Sequence, residues 1–149
     1  PARVVHLQRC LSTAFNIAVH NLPTKASPGQ PSAVLAATQT IYRAITSLGC
    51  SECVFVASNI SSMLFQPLLE LTHQLILLVH DGATCEDEAI VEAVDIALRT
   101  WLCMVHAAFS DVTVLAGLSD SPVPAQLGDS AATVLKVFIH SKVTQVASR

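Results

Sequence analysis

The chain has 149 residues, of which 52% are hydrophobic, 5% aromatic and 13% charged, and its formal net charge is −3. This length predicts a single domain over residues 1–149 that has a core of its own. The low charged fraction and the mildly acidic balance exclude a disordered tail and a nucleic-acid-binding arm. With so few charges on such an apolar chain, either Ser, Thr, Asn and Gln cover the surface or part of it is buried in a partner; we favour a mixture of the two, with a homodimer as the simplest partner.

Residues 3–21 and 33–48 predict the first two helices, because apolar side chains recur there at helical spacing. The apolar residues of the first segment are Val4, Leu7, Leu11, Phe15, Ile17, Ala18 and Val19. Those of the second are Val34, Leu35, Ile41, Ala44, Ile45 and Leu48. Residues 22–32 contain three prolines and a glycine and predict a loop. Ser32 is the expected N-cap of the second helix, and Gly49 is expected to end it.

Residues 50–80 predict a short turn followed by the most apolar segment of the chain. The turn is CSEC, from Cys50 to Cys53, and Ser51 is its expected helix N-cap. Residues 54–80 predict a central core helix that Pro67 kinks or divides into two. A transmembrane span of this length is the alternative. The scattered polar residues and the lack of an aromatic belt or basic flank favour the core helix.

The last third of the chain predicts two more helices around an irregular connection. Residues 84–109 begin with a capping box at Thr84. Their continuous apolar stripe comprises Ile90, Val94, Ala97, Leu98, Trp101, Leu102, Val105, Ala108 and Phe109. Residues 110–128 predict the connection, and 112–115 is the only short β-like run. Asp129 or Ser130 is the expected cap of a final helix to about residue 147. The apolar face of that helix comprises Leu135, Phe138, Ile139, Val143 and Val146.

These elements predict an all-α fold, a compact antiparallel bundle of five or six helices with segments 54–80 and 84–109 at its centre. Net charge is +4 over residues 1–50, −10 over 51–129 and +3 over 130–149. Either the basic ends pack near the acidic middle, or the middle presents an acidic interaction face. The chain begins at Pro1, which leads us to expect a fragment of a longer protein without a signal peptide.

The cysteines are an odd number, five, which argues against a disulfide framework. Cys10 and Cys103 fall on predicted helices, where we expect them to be small buried hydrophobic residues. The Cys50–Cys53 pair is interpreted as part of a structural turn, with a disulfide and half of a metal site as the alternatives. No second CxxC or close histidine pair completes a zinc site.

The remaining polar residues do not form a pattern typical of catalysis. The six histidines are expected at the solvent edge or hydrogen-bonded in the core. Glu88, Glu92 and Asp95 share a helix face, which predicts a solvated surface rather than an acid/base pair. No catalytic, cofactor-binding or metal-binding residue is therefore predicted, no cofactor is expected, and we expect that the chain is not an enzyme.

Residues 33–65 carry a helix, a short Cys-containing turn and a second apolar helix. The residues concerned are Val34, Leu35, Gln39, Ala44, Ile45, the LGCSEC run at 48–53 and the apolar stretch 60–64. This region resembles the C-terminal regulatory domain of aflatoxin-regulator-type fungal zinc-cluster transcription factors, and with the preceding helix around Cys10 and the Pro-rich loop the resemblance covers about a third of the chain. The turn here is C-x-x-C, whereas that family typically has C-x-C. The resemblance implies a nuclear regulatory module of fungal secondary metabolism.

Two functions are open from the sequence. The first is a non-catalytic regulatory domain that dimerises or binds a protein partner through apolar helix faces on 54–80 and on the last helix. It would make no direct nucleic-acid contact and no membrane contact. The alternative is a helical-bundle carrier of a hydrophobic small molecule, lipid or polyketide-like. A flat apolar face and self-association would indicate the first function, whereas a closed apolar cavity in a monomer would indicate the second.

Overall fold

The computed structural model is all-α over the residues that it describes, which are 2–24, 26–47, 50–80, 88–110, 128–137 and 139. The helices are α1 (Ala2–His20), α2 (Pro31–Ser47), α3 (Cys50–His80), α4 (Glu88–Ser110) and α5 (residues 128–137). The predicted all-α bundle is confirmed. The predicted stop at Gly49, the capping box at Thr84 and the β-like run 112–115 lie outside the described residues.

Helices α1 and α2 form an αα-hairpin closed by residues 21–30. The backbone N–H of Gln30 donates to the carbonyl of Asn21, 2.9 Å away, and the Asn21 side-chain amide donates to the carbonyl of Ile17. Gly29 lies between them with φ at +62°. A Cβ at this position would lie 2.4 Å from the Asn21 carbonyl oxygen, so the turn requires glycine.

The other two long helices, α3 and α4, pack against each other, and the hairpin covers this pair. Helix α2 packs on α4, and α1 packs on α3. The four helices thus follow one another around the bundle in the order α1, α2, α4, α3. Each helix has two close neighbours and one side that faces away from the bundle.

Two helices begin at residues other than those predicted from capping patterns. Helix α2 begins at Pro31, and the Gln30 carbonyl accepts from the N–H groups of Ala33 and Val34 at 3.0 and 3.1 Å. The predicted N-cap at Ser32 is therefore wrong, because Pro31 takes the first helical position, where its missing N–H costs no bond. Helix α5 already includes residue 128, so the predicted cap at Asp129 or Ser130 is also wrong.

Helix α3 is one uninterrupted helix of 31 residues with Pro67 inside it. The predicted turn at Cys50–Cys53 is wrong, since these residues form its first helical turn, and Ser51 is not its N-cap. Pro67 does not divide the helix. Proline removes one backbone hydrogen bond, but buried side chains on both sides of it, including Phe65 and Leu68, hold the helix in place.

The core is formed by one face of each long helix together with Val134 of α5. On the four long helices, three residues predicted on apolar stripes lie on the surface instead: Ile17 (43% exposed), Val19 (55%) and Leu102 (68%). A helix turns about 100° per residue, so these positions point well away from the core-facing line. The core itself consists mostly of Leu, Ile and Val side chains, and small buried residues among them, such as Ala14, Ala37 and Ala93, allow close helix packing.

Candidate functional site

A line of apolar side chains runs along α4 beside its core-facing side. Val91 is 52% exposed and Leu102 is 68% exposed, while Leu98 and Val105 are half-buried and pack against the edge of the core. With the exposed Asp95 they form a set that we call the α4 seam: Val91, Asp95, Leu98, Leu102 and Val105. Its spacing of four, three, four and three residues is that of a helix–helix packing seam.

Charged side chains are segregated along the same helix. Glu88, Glu92 and Asp95 are exposed near its N-terminus, as predicted, and Arg99 and His106 are exposed toward its C-terminus. Arg99 Nε lies 3.0 Å from a carboxylate oxygen of Asp95. Glu88 lies in the first turn of α4, where its negative charge suits the helix dipole, whereas Arg99 lies at mid-helix. The surface beside the α4 seam therefore has an acidic half and a basic half.

The inward side of α4 is anchored in the bundle, which gives the α4 seam a rigid support. Ile90, Ala93 and Ala97 are fully buried, and Trp101 is 3% exposed. The Trp101 ring contacts that of Phe65 on α3, with centroids 6.4 Å apart and planes tilted by 40°. Because this side is filled by the core, no core position among the described residues remains for Val91 or Leu102, which stay 52% and 68% exposed.

A second exposed apolar pair lies on the last helix. Leu135 is 57% exposed and Ile139 is 52% exposed, one helical turn apart, whereas Val134 is buried. Two members of the predicted apolar face of this helix thus face solvent. The others, Phe138, Val143 and Val146, lie outside the described residues. On α3, the other helix predicted to offer an apolar face, Leu77 is exposed by 43%.

Two surface grooves flank α1. The groove between α1 and α3 has a volume of about 780 Å³ and an apolar floor that includes Phe15 and Leu71, with Glu70, His73 and Gln74 on its rim. The groove between α1 and α2 has a volume of about 610 Å³ and is lined largely by small side chains such as Ala14, Ala33 and Ala37. Both grooves are open to solvent.

The histidines and cysteines do not converge on a site in the described part of the chain. His6, His20, His73 and His106 are all exposed, which agrees with the predicted solvent-edge placement. No group of three or more His, Cys, Asp or Glu side chains that could hold a metal ion is found among the described residues.

Two cysteine side chains are described. Cys10 is a half-buried free thiol. Cys103 is half-buried and forms a disulfide, so its predicted role as a simple buried hydrophobe is wrong. The side chains of Cys50, Cys53 and Cys85 lie outside the described residues.

Within the described residues, no helix combines the length and the apolar character needed to cross a bilayer. The sequence matches no protein-family model, and neither the curated proteins nor the solved structures contain a significant match to it. Sequence reasoning missed the exposure of the α4 seam, because it assigned Leu102 to the core stripe; Leu98 and Val105, assigned to the same stripe, do pack against the core. A second line at four-and-three spacing, displaced around the helix from the core line, was the signal that could have separated the two faces.

Proposed function

We propose that this chain is a non-catalytic regulatory domain that acts by binding a protein partner or a second copy through the α4 seam. The observation that carries the proposal is the exposure of Val91 and Leu102 on a helix whose core-facing side is completely packed. A rigid helix that presents a heptad-spaced apolar line is a common recognition element for another helix. No catalytic, cofactor-binding or metal-binding role is assigned to any residue.

The resemblance of residues 33–65 to the fungal zinc-cluster regulators supplies the biological setting of the proposal. In this setting the domain is nuclear and takes part in the transcriptional control of secondary metabolism. It contacts regulatory proteins rather than DNA. Its net charge of −3 supports contact with proteins rather than with DNA, because an acidic chain does not attract the phosphate backbone of DNA.

The open shape of both grooves favours this proposal over a carrier of a hydrophobic small molecule. A site for such a ligand usually buries most of the ligand surface in a concave pocket. The α1/α3 groove has sufficient volume, about 780 Å³, but it is open to solvent and has Glu70 and His73 on its rim. Native mass spectrometry tests the alternative directly, since a monomer that retains a small apolar adduct would support the carrier.

A tethered reporter assay tests the proposed function. The chain is fused to an unrelated DNA-binding domain in a fungal host, and expression from its operator is measured. We expect the fusion to change expression, and we expect Leu102→Ser in the fused chain to abolish the change. Val19→Ser is the matched control, because Val19 is 55% exposed on α1 and does not belong to the α4 seam. A folded fusion that leaves expression unchanged would overturn the proposal.

A further inference from the structure

We infer that the partner of the α4 seam is a second copy of this chain, packed antiparallel so that Val91 of one protomer lies opposite the partner's Leu102. This inference rests on the proposed function and identifies its partner. The evidence is the arrangement of apolar and charged residues along α4, which complements itself when the helix is reversed. A two-fold dimer needs such a self-complementary surface.

The two exposed apolar residues of the α4 seam match in the antiparallel register. Val91 and Leu102 lie 11 positions apart, or about 16 Å along the axis. A two-fold axis between residues 96 and 97 therefore brings each of them opposite the other in the partner. The same axis places Leu98 opposite the partner's Asp95, next to the centre. Two exposed apolar side chains from each protomer become covered at the same time, which removes them from water.

The charges match in the same register. Glu92 and Asp95 in the acidic half come close to the partner's Arg99, and the two-fold axis repeats this arrangement. Arg99 already pairs with Asp95 of its own helix at 3.0 Å, so its guanidinium is placed beside the α4 seam. A parallel arrangement would instead place Asp95 against the partner's Asp95, and like charges opposite each other oppose association. The charges therefore select the antiparallel orientation.

Only one flank of the α4 seam is available to a partner. Val94 and Trp101 on the other flank are buried in the core of their own bundle. Glu92, Arg99 and His106 occupy the free flank, and all three are exposed. The two bundles consequently meet side by side along α4, and the free flank carries the charges that determine the register.

Sedimentation equilibrium of the whole chain over a range of concentrations is the first test. We expect a species of twice the chain mass of 15.8 kDa. Leu102→Ser should weaken the dimer at least tenfold, because each interface loses two leucine contacts. Val19→Ser should not change the dimer constant. A wild-type monomer at every concentration overturns the inference, while the reporter assay separately tests the proposed function. A dimer that Leu102→Ser leaves intact also overturns it.

Charge reversal tests the register. Arg99→Glu replaces the arginine of the free flank by an acid, and the double variant Glu92→Arg/Asp95→Arg replaces two neighbouring acids by arginine. We expect each variant alone to be monomeric and their mixture to form a heterodimer. Glu70→Arg on α3 is the control and should dimerise like the wild type. Circular dichroism confirms that each variant is folded. If folded variants dimerise alone as tightly as the wild type, or if their mixture stays monomeric, the antiparallel register is wrong.

Discussion

The indole N–H of Trp101 on α4 donates a hydrogen bond to the hydroxyl of Thr72 on α3, with Nε1 and Oγ1 3.0 Å apart. The Thr72 hydroxyl in turn donates to the Leu68 carbonyl at 2.7 Å. Thr72 is fully buried and Trp101 nearly so. The Thr72 hydroxyl therefore accepts a hydrogen bond from the indole N–H and donates one to a backbone carbonyl of its own helix. This pair of bonds fixes the rotation of α4 relative to α3. This contact helps to decide which side of α4 faces solvent.

Replacing Thr72 by valine should destabilise the fold by about 1–3 kcal/mol, because the buried Trp101 indole N–H loses its acceptor. Urea unfolding followed by circular dichroism measures this change. Thr40→Val is the matched control, since Thr40 makes the same bond to a carbonyl four residues earlier but is exposed. In a protein that already carries Trp101→Phe, Thr72→Val should lower the free energy of unfolding by a clearly smaller amount. An equal cost in both backgrounds would show that the bond between the two side chains contributes nothing.

Replacing Gly29 by alanine should destabilise the α1/α2 hairpin by about 1–3 kcal/mol. The backbone there has φ at +62°, and the new Cβ would lie 2.4 Å from the carbonyl oxygen of Asn21. Thermal unfolding of the variant provides the measurement. Ala26→Gly in the same loop should change stability by only a few tenths of a kcal/mol. A Gly29→Ala variant as stable as the wild type would mean that the Gln30–Asn21 turn has a different conformation.

Replacing Leu68 by alanine should lower the free energy of unfolding by about 2–5 kcal/mol. The Leu68 side chain is fully buried, so its removal would leave a cavity at the centre of the bundle. Leu77→Ala, on the same helix but at a position 43% exposed, should cost less than about 1 kcal/mol. Denaturant midpoints of the two variants give the comparison. Similar losses at both positions would be inconsistent with the orientation of α3 described above.

Cys103 should resist alkylation until a reductant is added, because a sulfur atom in a disulfide has no thiolate to react. Cys10, a free thiol, should be modified without reduction. Peptide mass spectrometry before and after reduction measures both reactions and identifies the cysteine bonded to Cys103. Modification of Cys103 in the unreduced, folded protein would exclude the disulfide.

The positions of the helices could be predicted from the sequence, but their exact first residues could not. Apolar spacing located α1, α2, α3 and α4 to within a few residues, because a 3.6-residue period is a local property. Capping signals were less reliable. Ser32 and Ser51 are good N-cap residues, yet α2 begins at Pro31 and α3 at Cys50, because a capping pattern of one or two side chains does not define the first residue of a helix.

The sequence by itself determined that this chain is a helical bundle, because its apolar residues recur at helical spacing and its prolines and glycines separate the segments. Only the tertiary structure decided which face of α4 is buried. Apolar spacing places Leu102 on the same stripe as Ala97 and Trp101, which are buried as predicted. Packing of Ala93 and Ala97 against the bundle, together with the Trp101 bond to Thr72, fixes the rotation of α4 and leaves Leu102 on the surface, while Leu98 and Val105 lie at the edge of the core.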